Sequence, residues 1–467
     1  MRSLAPAWVC AVVLCACGSR SDFDAAATVG AGAAGAAGAG AAGAAGTGAG
    51  GTTGGTGDTG GTGGAGNAGG TGGAGGTGGS GGALPPCTTL ELTGKAVELP
   101  SVPNSWQGGP RIHSLPDGRA GIVHGWSAQS WPKSAGLADT VVSWLGDWPP
   151  VFEAPIELDP ARGWPYAVDR GPAPHYAILA GTSAMPPGLS LGFVNPDEAP
   201  FAPSVETSAS ATGALLVRGG KYRYLVGMEE PGAHLLGDSY HLLAGWVHPP
   251  PTNIPYEGPY IVGCSAWPGR MDGIETDMGW LLATPVPYGG PCSEDEAPPN
   301  PSVLTVTRFA DDGMAYPGLS LPVAPYITDL RVVPRPAGGW IAYGVWQSDM
   351  GPPRIEAVQM DALGLLSKDP VSLTPPGSAA FGFDAAAFGG SGIVAAFIDD
   401  PANNPPDLTV VVAGDEGIVA SARLEDVTIY NPQVLGHSPD GAILVAFAES
   451  VGAEGSRIRL ARFTCKP

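Results

Sequence analysis

Beyond residue 84 no stretch of the chain sustains apolar residues at helical spacing. Short runs of Val, Ile, Leu, Ala and Phe recur instead, each closed by Gly, Pro, Asp or Asn. Such a pattern predicts β-strands joined by tight turns rather than amphipathic helices. The clearest unit is a turn followed by an apolar strand. It reads Pro116-Asp117-Gly118 before Gly121-Ile122-Val123, and Pro439-Asp440-Gly441 before Ala442 to Phe447. Variants are Gly338-Gly339 before Trp340 to Tyr343, and Gly389-Gly390 before Ile393 to Phe397. Looser copies lie at His175 to Ala180, Tyr222 to Met228 and Gly279 to Ala283.

These starts fall roughly 46 to 60 residues apart, the spacing of propeller blades. A second unit, a hairpin ending in a pattern like Pro-x-x-Leu, occurs at Pro155 to Leu158, Pro317 to Leu321 and Pro370 to Leu373, with Ala420 to Leu424 in the same slot. Two hairpins in succession give four strands per repeat. The expected fold is therefore an all-β, seven-bladed β-propeller over residues 85–467. Six or eight blades also fit, because residues 207 to 300 repeat poorly. The last repeat runs out of chain after Arg457 to Phe463, and Lys95 to Leu99 matches its missing strand. An N-terminal strand that completes the last blade would close the ring. A pair of β-sandwiches is the rival architecture.

The Ser438-Pro439-Asp440-Gly441 turn before an apolar strand resembles the short propeller repeats of TolB-like periplasmic proteins. That resemblance implies a fold and no activity.

Composition separates the first part of the chain from the rest. Ala25 to Gly82 is almost wholly Gly, Ala and Thr. Such a segment has little to bury and a high backbone entropy to lose, so a disordered tether is expected. As a Gly-rich coil its root-mean-square reach is about 40 Å. Ahead of it, Arg2 and the apolar run Leu4 to Ala16 have signal-peptide form, too short to span a bilayer. Leu14-Cys15-Ala16-Cys17 resembles the lipobox of bacterial lipoproteins. The resemblance implies a signal peptide over 1–16, a lipidated Cys17 opening the 17–84 tether, and attachment to a membrane. Gly18 stands where an Asp often retains such proteins at the inner membrane, so an outer-membrane or surface location is implied.

The chain has 467 residues and a formal net charge of −21, which disfavours nucleic acid as a partner. Seven Cys are present. With Cys10 and Cys15 in the signal and Cys17 lipidated, Cys87, Cys264, Cys292 and Cys465 remain, enough for two disulfides in an exported chain. Antiparallel pairing of the closing strand would set Cys87 beside Cys465, which leaves Cys264 for Cys292.

Chemistry is sparse. No His-Glu-x-x-His, Gly-x-Ser-x-Gly or P-loop motif occurs, and no catalytic residue or metal site is assigned. Acidic residues (Glu229-Glu230, Glu294 to Glu296, Asp349, Asp399-Asp400 with Asp407, Glu449) are expected on loops between second and third strands, making one face acidic. The densest group, Asp399, Asp400 and Asp407, has oxygen enough for calcium but lacks EF-hand spacing, and a stiff turn fits it better. Trp131 and Trp148 are candidate exposed platforms for a sugar or peptide. The sequence favours a non-enzymatic binding or scaffold module for a protein, peptide or glycan ligand. The second reading is an extracytoplasmic, glycan-directed hydrolase using carboxylates.

Overall fold

The computed structural model describes residues 87–467 apart from connecting stretches such as 128–135, 288–301 and 400–405, and between 166 and 270 it describes only the backbone of the strands. By compactness the chain divides into Met1–Arg20 with Gly73–Pro467, and a separate unit Ser21–Gly72. The expected signal, lipid attachment and tether all lie outside the described residues.

Among the described residues every regular element is a strand, and the strands form seven antiparallel sheets. Two short strands, β1 (Thr89–Leu92) and β2 (Val97–Glu98), come first. The first sheet holds β3 (Trp106–Ser114), β4 (Ala120–Ser127) and β5 (Gly136–Ser143), with β6 (Val151–Phe152) and β7 (Ile156–Asp159) sharing the edge of β5. The second runs β8 (Arg162–Asp169), β9 (Tyr176–Thr182), β10 (Leu189–Val194) and β11 (Ala202–Glu206). The third is β12 (Gly213–Gly219), β13 (Arg223–Gly232), β14 (Ser239–Val247) and β15 (Glu257–Ser265). The fourth is β16 (Asp272–Thr276), β17 (Gly279–Pro287), β18 (Ser302–Phe309) and β19 (Ala315–Pro322). The fifth is β20 (Ile327–Arg335), β21 (Gly338–Val345), β22 (Arg354–Asp361) and β23 (Val371–Ser372). The sixth is β24 (Ala380–Phe388), β25 (Gly392–Asp399), β26 (Asp407–Gly414) and β27 (Gly417–Leu424). The seventh is β28 (Ile429–Leu435), β29 (Ile443–Ser450) and β30 (Ser456–Lys466), whose free edge takes β1 and β2.

All seven of the apolar runs read from sequence are second strands: β4, β9, β13, β17, β21, β25 and β29. The poorly repeating 207 to 300 region supplies one ordinary sheet, β12 to β15, and the first two strands of the next. First strands of consecutive sheets lie against each other, and β28 lies against β3.

Burial explains why second strands are the legible ones. Sheets stack face to face, so a second strand has a neighbouring sheet on both sides. All residues of β21 and β25 are buried, including both alternating faces. Fourth strands have solvent on one side, and β27 alternates accordingly. The core follows the same geometry. Val394, Ala396 and Ile398 of β25 pack toward Ile443, Val445 and Phe447 of β29 on the seventh sheet. Ile393, Ala395 and Phe397, on the other face, pack with Trp340, Ala342 and Ala357 of the fifth.

The closing strand is present but comes in two pieces. β1 pairs with β30 in the register Leu90 to Cys465 and Leu92 to Phe463, and β2 pairs Val97 with Leu460. The Lys95 to Leu99 segment thus forms only the second piece. Thr89–Leu92, not singled out in the sequence, forms the first. Cys87 and Cys465 are joined in a disulfide with Cα atoms 5.0 Å apart. Cys292 lies outside the described residues and the side chain of Cys264 is not described, so the second expected bridge lies there too.

Two glycines make the hairpin between first and second strands. Gly279 and Gly338 open β17 and β21 at φ +115° and +130°, where a Cβ would overlap the carbonyl oxygens of Phe309 and Met360. Both the backbone angle and the space require glycine. Gly338→Ala is therefore expected to lower unfolding free energy by roughly 1–3 kcal/mol or more, measured by denaturant titration.

Candidate functional site

Charged side chains are rare in strands packed on both faces, because an unpaired charge there is costly. Four occur together on the first strands of the fourth, fifth and sixth sheets: Asp272 of β16, Asp329 and Arg331 of β20, and Asp384 of β24. Each strand also offers apolar neighbours (Ile274, Leu330, Phe383) that hold it in the core, so the charged groups are fixed in place.

Arg331 is the centre. Its Nε donates to Asp384 Oδ1 at 2.6 Å, and its Nη1 donates to Asp329 Oδ1 at 2.9 Å and to the Leu330 carbonyl at 2.6 Å. Its Nη2 donates to the Phe383 carbonyl at 3.4 Å, and the guanidinium carbon stands 5.8 Å from the Phe383 ring centroid. Asp272 closes the group from the fourth sheet. Its Oδ2 accepts the Val332 N–H at 2.7 Å and its Oδ1 accepts the Gly273 N–H at 2.9 Å.

Burial alone would lower the guanidinium's hold on its proton. The charges of Asp329, Asp384 and Asp272 outweigh that effect and hold it above its ordinary value. Asp272 goes the other way for a carboxyl. Burial pushes it up from 3.8 to about 7, against Arg331 and the N–H groups of Val332 and Gly273, and Asp384 adds to the rise. The side chains of Arg331, Asp329 and Asp384 nevertheless keep 14%, 15% and 12% of their surface exposed, and Asp272 is half-buried. The group is therefore enclosed but not sealed from solvent. Chemically, the cluster is a carboxyl pushed toward its neutral form by burial, beside two carboxyl groups that share a cation. That division of roles among neighbouring carboxyls is the arrangement that general acid catalysis needs.

A second buried group lies in the fifth sheet. Tyr343 donates to Glu356 Oε2 at 3.1 Å, and Arg354 Nε donates to Glu356 Oε1 at 2.7 Å. Burial, reinforced by the Glu356 charge and hydrogen bond, pushes the Tyr343 phenol above its ordinary value despite Arg354.

The site residues expected from sequence fall elsewhere. Asp399 is not an open ligand: it is the last residue of β25, with a fully buried side chain. It accepts Ser378 Oγ at 2.9 Å, the Ala379 N–H at 3.1 Å, Thr409 Oγ1 at 3.1 Å and the Arg423 guanidinium. Asp407 is 3.9 Å from Arg423. The Asp399 carboxylate is thus taken up by protein donors rather than held open for an ion. Asp400 lies outside the described residues. Among the described residues no group of three or more His, Cys, Asp or Glu is placed to hold a metal ion.

Trp148 is not an exposed platform. It is half-buried, packs against the cluster of Leu99, Ile122 and Leu460, and donates its indole N–H to the Lys95 carbonyl at 2.9 Å. Trp131 lies outside the described residues. Of the acidic set, Glu449 is 9% exposed and pairs with Arg459 at 2.6 Å, so it does not contribute an open negative charge. Asp349 and Glu294 to Glu296 lie outside the described residues, and the side chains of Glu229 and Glu230 are not described.

No protein-family model matches the chain, and no curated protein sequence matches it. Solved structures do. A protein of unknown function from Dyadobacter fermentans is 11% identical with a TM-score of 0.46, covering 81% of this chain and 99% of that one. The α-L-arabinofuranosidase Arb93A from Fusarium graminearum, solved with an iminosugar inhibitor, is 10% identical with a TM-score of 0.48 and coverage of 80% and 98%. An ulvan lyase described as a new polysaccharide lyase family, PL25, is 11% identical with a TM-score of 0.49 and coverage of 78% and 95%. Likeness at this level does not say which residues of this chain act.

The cluster makes stability depend on pH through Asp272. Its folded value is raised, so the contribution is full below 3.8 and is lost as pH rises through about 7. Relative to Asp272→Asn, the native protein should lose on the order of 2–4 kcal/mol of unfolding free energy between about pH 4 and pH 8. Denaturant titrations across that range check it, and parallel curves for the two proteins would refute it. Arg331→Met leaves Asp329 and Asp384 without their shared cation and is expected to cost about 3–5 kcal/mol in the same assay.

Proposed function

We propose that the seven sheets are the blades of a closed propeller, and that the protein is an extracytoplasmic, glycan-directed hydrolase. The contact of β28 with β3 supports the ring, as does the N-terminal strand on β30. The lipobox-like Leu14 to Cys17 supports export and attachment through a lipid on Cys17, with the Gly-rich segment as spacer. In such a ring the first strands face the axis, and the group around Arg331 is the site.

One observation carries the enzymatic reading: Asp272 stands near half-protonation at neutral pH next to the Arg331-paired Asp329 and Asp384. Glycoside hydrolysis needs one carboxylic acid to protonate the leaving oxygen. It needs a second carboxylate to activate water or attack the anomeric carbon. In this assignment Asp272 is the acid. Asp384 or Asp329 is the carboxylate, oriented by Arg331. Trp131 remains a candidate stacking platform for the sugar.

A second reading is a binding or scaffold propeller without turnover. It is favoured by the saturation of Asp272, both of whose oxygens already accept backbone N–H groups. In that reading the cluster stitches sheets together.

Purified protein incubated with a panel of neutral and acidic polysaccharides separates the two. The hydrolase reading expects new reducing ends, with a rate that falls as pH rises through about 7 because the acid must carry its proton. Asp272→Asn should lower that rate by roughly 10²–10⁴ while the melting profile at neutral pH stays close to native. Glycan binding without new reducing ends would favour the second reading. Turnover unaffected by Asp272→Asn would remove Asp272 from the chemistry.

A further inference from the structure

The N-terminal segment of the described chain is fastened in an asymmetric way. Cys87 is its first residue and carries the disulfide; beyond it the attachment is non-covalent, strand pairing supplemented by side-chain contacts. Thr88 N–H donates to the Lys466 carbonyl at 2.9 Å, Thr93 N–H to the Arg462 carbonyl at 2.7 Å, and Leu99 N–H to the Ile458 carbonyl at 2.9 Å. Thr93 and Thr464 share a hydroxyl contact of 2.7 Å, and Arg457 Nη1 donates to Glu98 Oε2 at 3.0 Å. Cys87, Leu90 and Leu99 are the fully buried hydrophobics of the segment, and Leu92, Ala96 and Val97 are partly buried against the core. The pairing is interrupted between β1 and β2, and it lies at the outer edge of the seventh sheet. An edge strand so divided opens locally at far lower free energy than second strands such as β21 or β25, which are buried throughout.

We propose that residues 87–99 form a redox-latched strap: strand pairing seats it, and the Cys87–Cys465 bond at the end where the rest of the N-terminal chain arrives keeps it from peeling. A pull transmitted from residues before Cys87 acts on the first pairing contact and would open an unlatched edge strand one bond at a time. With the bond in place the pull passes across sulfur to β30, which is held by its pairing with β29 from Ser456 to Phe463. The strap also joins residues separated by 378 positions. Closing so long a loop is entropically expensive, which makes this pairing a late folding step.

Latching is an oxidation. The two thiols lose two protons and two electrons to a disulfide-bearing oxidant, which leaves as its dithiol. Reducing compartments therefore leave the strap seated only by its hydrogen bonds, and oxidising ones fasten it. In a chain that is exported and held from its N-terminal side, as proposed above, fastening would follow export. That use rests on the proposed export, whereas the latch itself is tested without it.

Hydrogen exchange on the full-length protein, with and without reductant, reads the latch. Amides of residues 88–99 are expected to exchange about tenfold faster or more after reduction, while those of β21 and β25 stay within about twofold. The double variant Cys87→Ser/Cys465→Ser should show the same pattern without reductant, which separates this bond from Cys264 and Cys292. Unchanged exchange in 88–99 would mean that strand pairing alone holds the strap. A uniform rise across all strands would mean that the bond is a global staple. Either result overturns the proposal.

Discussion

The structure depends on one constraint: strands stacked between neighbouring sheets bury much of their surface, so a polar group buried there is best satisfied by the next sheet. Water is not there to do it, and an unpaired buried polar group costs more than a lost contact. The cross-sheet bonds follow from that. Trp340 of the fifth sheet donates its indole N–H to the Ser391 carbonyl of the sixth at 2.9 Å. Gln359 donates to Asp415 across the same junction at 2.7 Å. At the junction of the seventh sheet with the first, Gln107 Oε1 accepts the Ile458 N–H at 3.3 Å, and the Gln107 carbonyl accepts Ser456 Oγ. Hydrophobic stacking brings the sheets together without fixing their relative rotation. These directional bonds fix it.

The Arg331 cluster is the charged version of the same device, spread over three sheets. Its energy is a balance of large terms. Arg331 is buried at the expense of its hydration and is compensated by two carboxylates and two backbone carbonyls, as a bidentate, planar cation allows. Replacement of such a group by apolar residues can be neutral for stability, so stability alone does not explain why charge is used there. Asp272 adds what a purely structural stitch does not need: a third carboxyl within the field of the other two, driven toward its neutral form. A stitch from Val332 N–H to a carbonyl oxygen would have served as well as one to an ionisable acid. The excess acid is the reason to read chemistry into the cluster.

The legibility of the sequence follows the same burial gradient. Second strands, apolar on both faces, are continuous runs such as Ile393 to Phe397, and the sequence exposes all of them. First strands mix buried and partly exposed residues and read as weak alternation. The short edge pieces β6, β7, β1 and β2 have too few residues to carry a period. The site was missed for a related reason. Acidity in a sequence is most visible where it is dense, which directs attention to Asp399, Asp400 and Asp407. Asp399 instead turns inward onto Ser378, Thr409 and Arg423. The cluster is made of single acids from strands 55 to 112 positions apart at its extremes (Asp329 to Asp384, Asp272 to Asp384), and only the fold brings them together. The available signal was faint: an isolated charge inside an otherwise apolar strand, as in Asp329-Leu330-Arg331-Val332-Val333.

The same logic of distance explains why the closing strand is latched and the sheet interior is not. Within a sheet, strands adjacent in sequence pair through short turns, so each hairpin is seated at small entropic cost and needs no covalent help. The strap is different: its partner strand is the last of the chain, and its own apolar contribution is small. Pairing at that edge must recover a long loop closure from a handful of hydrogen bonds and two buried leucines. A disulfide acts mainly on the unfolded chain, and its effect grows with the length of the loop it closes. Of all pairings in the described structure, this one joins the most distant residues, so a covalent bond does most there.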